Sequence, residues 1–559
     1  MRRLKQVAIK GWFPALITLI YVYNFPYFQA IHSANELPRI YLTMAMVDRG
    51  ALNIDPELKR FQFTPDTSSY KGKLYANKAP GLSVLTVPVY LVQKLANGGE
   101  TPQLPRMFFW FRLFGAILPS LLFLLLLWRF LGDVVHDVGH RRMVLAAYAL
   151  GTMALTYGTL LIAHQLSALL MATSYILLYR ATQDHTKNER PWRWSVPLAG
   201  LAAGSGVLVD YQVAFIGPPL FFYLLWCARE GSSLRRMLLD GLKFGAAAAV
   251  PLGVLLLYQW GCFDNPLKTG YHYPTTPLFQ QWHSKGFLGM SHFDIQAFWG
   301  SFTRADNGLF YFSPFLLLAV PGLALMAAGG GGVGRRSLRP DAVLCLALIL
   351  FFAYFISSLT FWRSGWAVGP RYITCALPFF LVPVAVLVDR AGRQWYGRVV
   401  PHGLMLVSIL LYTTANAVFP HYPENFSNPW FDVTLRFGLA GYLPYNLGWL
   451  LGLQGLASLA PYLAAVAVLI GLLVWGTRRT GELWWQRSLA ALLSLVIAAG
   501  VVAGYHRQLR HRRMPVPVAF LPWMERMWEP RHPGMQLKRL LDFDKDGVAQ
   551  AATHIAPRR

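Results

Sequence analysis

The chain has 559 residues, 55% of them hydrophobic and only 14% charged, with a mean hydropathy of +0.37. That composition excludes ordinary soluble domains, because it leaves too little polar surface to cover them; lipid must act as the solvent. The formal net charge of +25 raises nucleic-acid binding as an alternative, but most cations sit in short connections between apolar runs. No nucleic-acid partner is therefore expected, and anionic membrane lipids are.

Apolar runs suited to a ~30 Å hydrocarbon layer fall near 8–23, 107–131, 143–162, 166–180, 194–209, 211–227, 244–260, 309–328, 342–361, 374–388, 399–419, 459–476 and 488–504. They predict an all-α polytopic membrane protein of about thirteen spans. The first run continues into "YVYNFPYFQAIHSANELPRI" with no small-residue cleavage site, so it reads as a retained anchor.

Cations mark alternate connections. Arg2, Arg3 and Lys5 come first, followed by Arg141 and Arg142, then Lys187, Arg190 and Arg193, then Arg229, Arg235 and Arg236. Arg335, Arg336 and Arg339, then Arg390, Arg393 and Arg398, then Arg478 and Arg479 continue the series. Short basic loops stay cytoplasmic, so the long segments 24–106, 261–308 and 420–458 are expected on the outer side. The predicted organisation is one transmembrane unit over 1–504 and a small tail over 505–559. An odd span count sends that tail outside, against the pull of Arg507, Arg510, Arg512 and Arg513.

Other motifs read as structural. Cys227, Cys262, Cys345 and Cys375 show no metal spacing. "GGGGVG" at 329–334 lies in a short inner connection and reads as a flexible linker. "DFDKDG" at 542–547 copies the start of a calcium loop, but Thr553 stands where a bidentate Glu belongs, so it reads as a polar turn. His164, His272, His283 and His292 show no ligand pattern and read as solvated or hydrogen-bonding histidines.

The first outer segment carries the chemistry. "SANELPRIYLTMAMVDRGALNI" spaces Ile40, Leu42, Met44, Met46 and Val47 as an interfacial helix, with Glu36, Arg39 and Asp48 near its ends. A polar stretch with Asp55 and Asp66 follows, and then "YKGKLYANKAPG", whose Gly72 and Pro80 predict a turn leading into the next helix.

These residues resemble the C-type (GT-C) glycosyltransferases that use polyprenyl-phosphate sugars, in particular the protein O-mannosyltransferase and lipid A aminoarabinose transferase branch. The likeness rests on "ELPRI", which places Glu36 and Arg39 at an acid and an arginine of that branch's first-loop motif. "YANKAP" places Tyr75 and Lys78 at the spacing of its Tyr-x-x-Lys motif, and "GWAVGPRYITCALPFFLVP" supplies Arg371. "FDNPLKTGYHYP" and "GLFYFSPF" are similar to its middle-loop segments. Three positions depart from the pattern: Asn35 precedes Glu36 where other members show adjacent acids, Leu37 replaces the second acid if the arginine fixes the alignment, and Ala79 replaces a proline.

The resemblance implies transfer of one sugar, with inversion, from a polyprenyl phosphate to a lipid, glycan or protein acceptor. The implied location is the outer face of a bacterial inner membrane. In that reading Glu36 is the catalytic base, Arg39, Tyr75, Lys78 and Arg371 bind the donor phosphate, and Asp55 and Asp66 are possible auxiliaries. No metal site and no cofactor are expected, with a divalent ion left open. Negative charge grows on the departing phosphate, so cations placed there stabilise the transition state more than the ground state. A lipid-linked glycan flippase and a polysaccharide polymerase or ligase are the alternative readings.

Overall fold

The computed structural model describes residues 2–24, 33–184, 192–229, 233–287, 289–329, 337–476, 481–510, 517–529 and 531–541. The cations Lys187, Arg190, Arg335, Arg336, Arg478, Arg479, Arg512 and Arg513 lie outside these residues, as do most of the glycine run and the calcium-like motif.

The architecture is helical. Among the described residues eight helices are long and apolar enough to cross a membrane, and up to nine if the bent pair Met153–Thr159 and Ala163–Thr182 counts as one. Shorter apolar helices cover Gly11–Tyr23, Gly81–Ala96, Ser195–Val209 and Pro314–Ala327. The expected thirteen spans are thus not thirteen long helices, because several runs are short or broken. The run expected at 143–162 is two helices, Val138–Leu150 and Met153–Thr159. They part at Gly151 and Thr152, where the Thr152 hydroxyl caps the second helix by accepting from the Ala154 amide at 3.1 Å. A second break at Leu160–Ile162 turns the chain by 114° into Ala163–Asp184.

Close helix packing follows small residues. A Cβ on Gly200 would meet the Phe244 carbonyl oxygen at 2.1 Å, and one on Gly204 the Ala248 carbonyl oxygen at 2.3 Å. This pair, four residues apart, lets Ser195–Val209 lie directly on Leu234–Phe263, as small-residue stripes do in lipid.

Connections expected inside meet at one end of the bundle. His136 Nδ1 lies 2.9 Å from Asp389 Oδ2, and Arg398 pairs with Glu482. At the opposite end the loops build a cap. The tail returns there: Trp528 packs on Phe419 and Phe437, with ring centroids 5.3 and 5.0 Å apart, and Trp523 packs on Trp366 at 5.5 Å.

The first outer segment is not all helix. The strands β1 (Thr67–Tyr70) and β2 (Lys73–Ala76) form an antiparallel hairpin, closed by Lys71 and Gly72 with φ of 48° and 75°. A two-residue turn with both φ positive matches strand twist, so the predicted turn at Gly72 is a hairpin and not merely a helix entry. The expected interfacial helix forms as Leu37–Arg49, but Leu37 to Ala45 are all buried, so both its faces are covered by neighbouring segments.

Candidate active site

Hairpin register sets the first two charged groups side by side. Thr67 pairs with Ala76, so the chain enters at Asp66 beside where it leaves through Asn77 and Lys78. Lys78 Nζ is 3.0 Å from Asp66 Oδ2, and both side chains are nearly buried. The middle loop seals this corner. The Ser69 amide donates to the Tyr273 carbonyl at 2.8 Å, the Thr275 amide to the Thr67 carbonyl at 3.1 Å, and the Ser68 hydroxyl to the Gly270 carbonyl at 2.8 Å. The Tyr271 ring then covers the ammonium, its centroid 5.6 Å from Nζ.

Arg39, Asp66, Lys78, His164, Asp210, Gln212 and Arg371 all line one cavity of about 360 Å³. Its outer wall is aromatic: Trp282 and Phe361 stack 4.0 Å apart, and Tyr271 and His283 lie 4.8 Å apart. Arg39 donates to Asn35 through both the carbonyl and side-chain oxygens. Burial opposes the charged form of Asp66, yet the Lys78 ammonium, with help from Arg371 and Asn77, outweighs it and holds the carboxyl below the usual range. Burial lowers Lys78 from the ordinary lysine value; Asp66 opposes that fall, and Arg39 and Arg371 add to it.

Three expected site residues fall outside this cavity. Glu36 is fully buried and meets Arg112 bidentately, at 3.0 Å from Nε and 2.9 Å from Nη2. It also accepts from the Leu161 amide at 2.6 Å, which the break after Thr159 exposes. These bonds engage the carboxylate outside the cavity that holds Arg39, Lys78 and Arg371, whereas the motif reading expects Glu36 beside them. Tyr75 packs its ring on Phe263 at 5.5 Å, within the loop's own core, and not on the cavity wall. Asp55 pins the hairpin by accepting from the Leu74 amide at 3.1 Å and from Asn53 Nδ2 at 2.8 Å. Arg39, Lys78, Arg371 and Asp66 are brought together as expected neighbours.

Three polar cavity residues, His164, Asp210 and Gln212, were not among the expected site residues. His164 Nδ1 lies 2.7 Å from Asp210 Oδ2, and Gln212 Nε2 donates to the same oxygen at 3.2 Å. His164 Nε2 is buried and has no hydrogen-bond partner among the described residues. The available signal was a histidine at the start of one apolar run and an aspartate at the seam between two others. All four cysteines are buried and in no disulfide, and among the described residues no three His, Cys, Asp or Glu side chains converge as metal ligands.

A helical membrane protein whose capped end encloses a mixed-charge cavity is the class defined by this geometry. Residues 106–255 match the model of the family described as dolichyl-phosphate-mannose-protein mannosyltransferase, in agreement with the GT-C resemblance carried by the loop motifs. No curated protein matches the chain by sequence. Among solved structures, the chain is similar to ArnT from Cupriavidus metallidurans bound to undecaprenyl phosphate, with 13% identity, 98% of this chain and 88% of that chain covered, and a TM-score of 0.45. It is also similar to apo ArnT from the same organism, with 15% identity, the same coverage of 98% and 88%, and a TM-score of 0.46.

Proposed function

We propose that this protein is a GT-C glycosyltransferase that moves one sugar from a polyprenyl phosphate to an acceptor hydroxyl, with inversion, at the outer face of a bacterial inner membrane. The observation that carries the reading is the convergence of Arg39, Lys78 and Arg371 on one cavity. A phosphate diester carries one negative charge and leaves as a monoester carrying more, so three cations around it favour the transition state over the bound donor. The guanidiniums suit phosphate oxygens by their planar forks, and the ammonium acts as a point charge.

The match of residues 106–255 to a family whose description names a dolichyl-phosphate sugar supports both the reaction class and a lipid-phosphate carrier. In this reading residues 1–504 form the catalytic unit, and Trp523 and Trp528 of the tail over 505–559 pack against its outer end. Asp66 is a positioning residue, because its ion pair fixes the Lys78 ammonium. Glu36 is structural. In this reading the three side-chain cations supply charge at the phosphate.

Lipid-linked sugar profiling of cells lacking the protein tests this reading. A polyprenyl monophosphate sugar should accumulate and should clear when the parent gene is restored, but not when Lys78→Ala is. Accumulation of a diphosphate-linked glycan instead would point to a polymerase or ligase, and an unchanged profile would overturn the assignment.

A further inference from the structure

We propose that His164 is the general base of the transfer, with Asp210 as its positioning residue. The inference rests on the glycosyltransferase reading and supplies the proton acceptor that Glu36 cannot.

The carboxylates in and near the cavity are each already engaged. Glu36 lies outside it, saturated by Arg112 and the Leu161 amide. Asp66 faces the cavity but is bound to Lys78 at 3.0 Å, where neutralising it would undo the cation that meets the phosphate. Asp210 already accepts from both His164 and Gln212 through Oδ2. His283 stands on the aromatic wall, its ring 4.8 Å from that of Tyr271.

His164 has the required arrangement. Its Nδ1, 2.7 Å from Asp210 Oδ2, donates to that carboxylate, which fixes the tautomer and leaves the lone pair on Nε2. That nitrogen is buried, has no partner among the described residues, and belongs to a side chain on the cavity wall. The ring is held edge-on by Tyr157 at 5.5 Å and Tyr372 at 6.0 Å. The charged and titratable groups around it are therefore Asp210, Arg39, Arg371, Tyr157 and Tyr372. A base oriented by a carboxylate at its far nitrogen is the general arrangement for proton removal from a hydroxyl.

The step balances without a further reactant. The acceptor hydroxyl oxygen bonds to the anomeric carbon as its proton passes to Nε2. The bond from that carbon to the phosphate oxygen breaks with its electron pair, and polyprenyl phosphate leaves toward Arg39, Lys78 and Arg371. Asp210 stabilises the imidazolium until the proton passes to water or to the departing phosphate.

The test uses the purified full-length protein, lipid-linked sugar extracted from cells lacking it, acceptor-bearing membranes of the same cells, and undecaprenyl phosphate as the binding probe. His164→Gln should lower turnover by roughly 10² to 10⁴ while undecaprenyl phosphate binding stays within about two-fold of the parent. His164→Ala should regain turnover when imidazole is added, and Asp210→Asn should lower turnover with binding kept. The parent's rate should fall on its acid side as a histidine protonates, and His164→Asp should move that limb into the carboxylate range. Parent-like turnover by His164→Gln, or loss of phosphate binding in step with turnover, overturns the assignment. If the parent itself transfers no sugar from the extract, the glycosyltransferase reading fails and this inference with it.

Discussion

Glu36 and Arg112, 76 positions apart, close on each other through two hydrogen bonds in the protein interior, their side chains 0% and 2% exposed. The pair ties the start of Leu37–Arg49 to Leu104–Leu131, and the Leu161 amide adds the broken-helix segment. Removing one partner of a buried pair costs about 3 to 5 kcal/mol, because the other charge loses its compensation. Glu36→Gln and Arg112→Gln should therefore both lower the thermal midpoint in detergent, and the double variant should lose less than the sum. A turnover defect in Glu36→Gln with a parent-like midpoint would restore Glu36 to the chemistry.

The Asp66 and Lys78 pair gives a pH prediction. Asp66 sits below its ordinary value, so its stabilising contribution is present above about 3.9, the unfolded value, and is lost as pH falls through the lower folded one. Lys78 is lowered by burial and partly restored by Asp66, so Asp66→Asn should let its pKa fall further. Affinity of that variant for undecaprenyl phosphate should decline as pH rises from about 7 to 10, while the parent's stays flat over the part of that range below its own lysine pKa. Identical pH curves for the two proteins would show that the ammonium does not meet the phosphate.

Membrane class, the helical scaffold and the cationic residues Arg39, Lys78 and Arg371 were legible because hydropathy and short motifs are local signals. The setting of Glu36 was not legible for the same reason. Its motif position is local, whereas its partners Arg112 and Leu161 are brought in by tertiary packing. Tyr75 and Asp55 looked like site residues until the hairpin register turned them toward its own support. His164 and Asp210 stand 46 positions apart and meet only because the chain breaks before Ala163 and again at Asp210, between two helices. No spacing rule reports that.

The middle loop depends on Gly270. A Cβ there would lie 2.6 Å from Asn77 Cα and 2.7 Å from Ser68 Oγ, so Gly270→Ala must push the loop from the hairpin next to Lys78. Overpacking of this kind costs about 1 to 3 kcal/mol, and the strain falls on the Lys78 and Tyr271 side of the cavity. Undecaprenyl phosphate binding should weaken about 5- to 150-fold if that cost appears in affinity. Gly217→Ala, where nothing lies within 4 Å of the added carbon, should bind like the parent. Equal binding by all three proteins would mean that the middle loop does not shape the phosphate site.

Sidedness can be read from the tail, because its contacts link it to the cavity end. Trp366, which meets Trp523 and Phe520, lies between the cavity residues Phe361 and Arg371 in the chain, so the tail and the cavity share one side of the bilayer. A reporter inserted near residue 280 and an epitope placed after residue 559 should therefore give the same answer, outside, while reporters after residues 235 and 337 give cytoplasm. Trp528 anchors the tail on Phe419 and Phe437, so Trp528→Ala, with a cost of about 3 to 5 kcal/mol for a buried aromatic, should speed proteolytic removal of the epitope in intact spheroplasts. An epitope protected in spheroplasts while residue 280 reports outside would contradict the shared side. A cytoplasmic signal at 280 would put the cavity on the inner face and overturn transfer at the outer one.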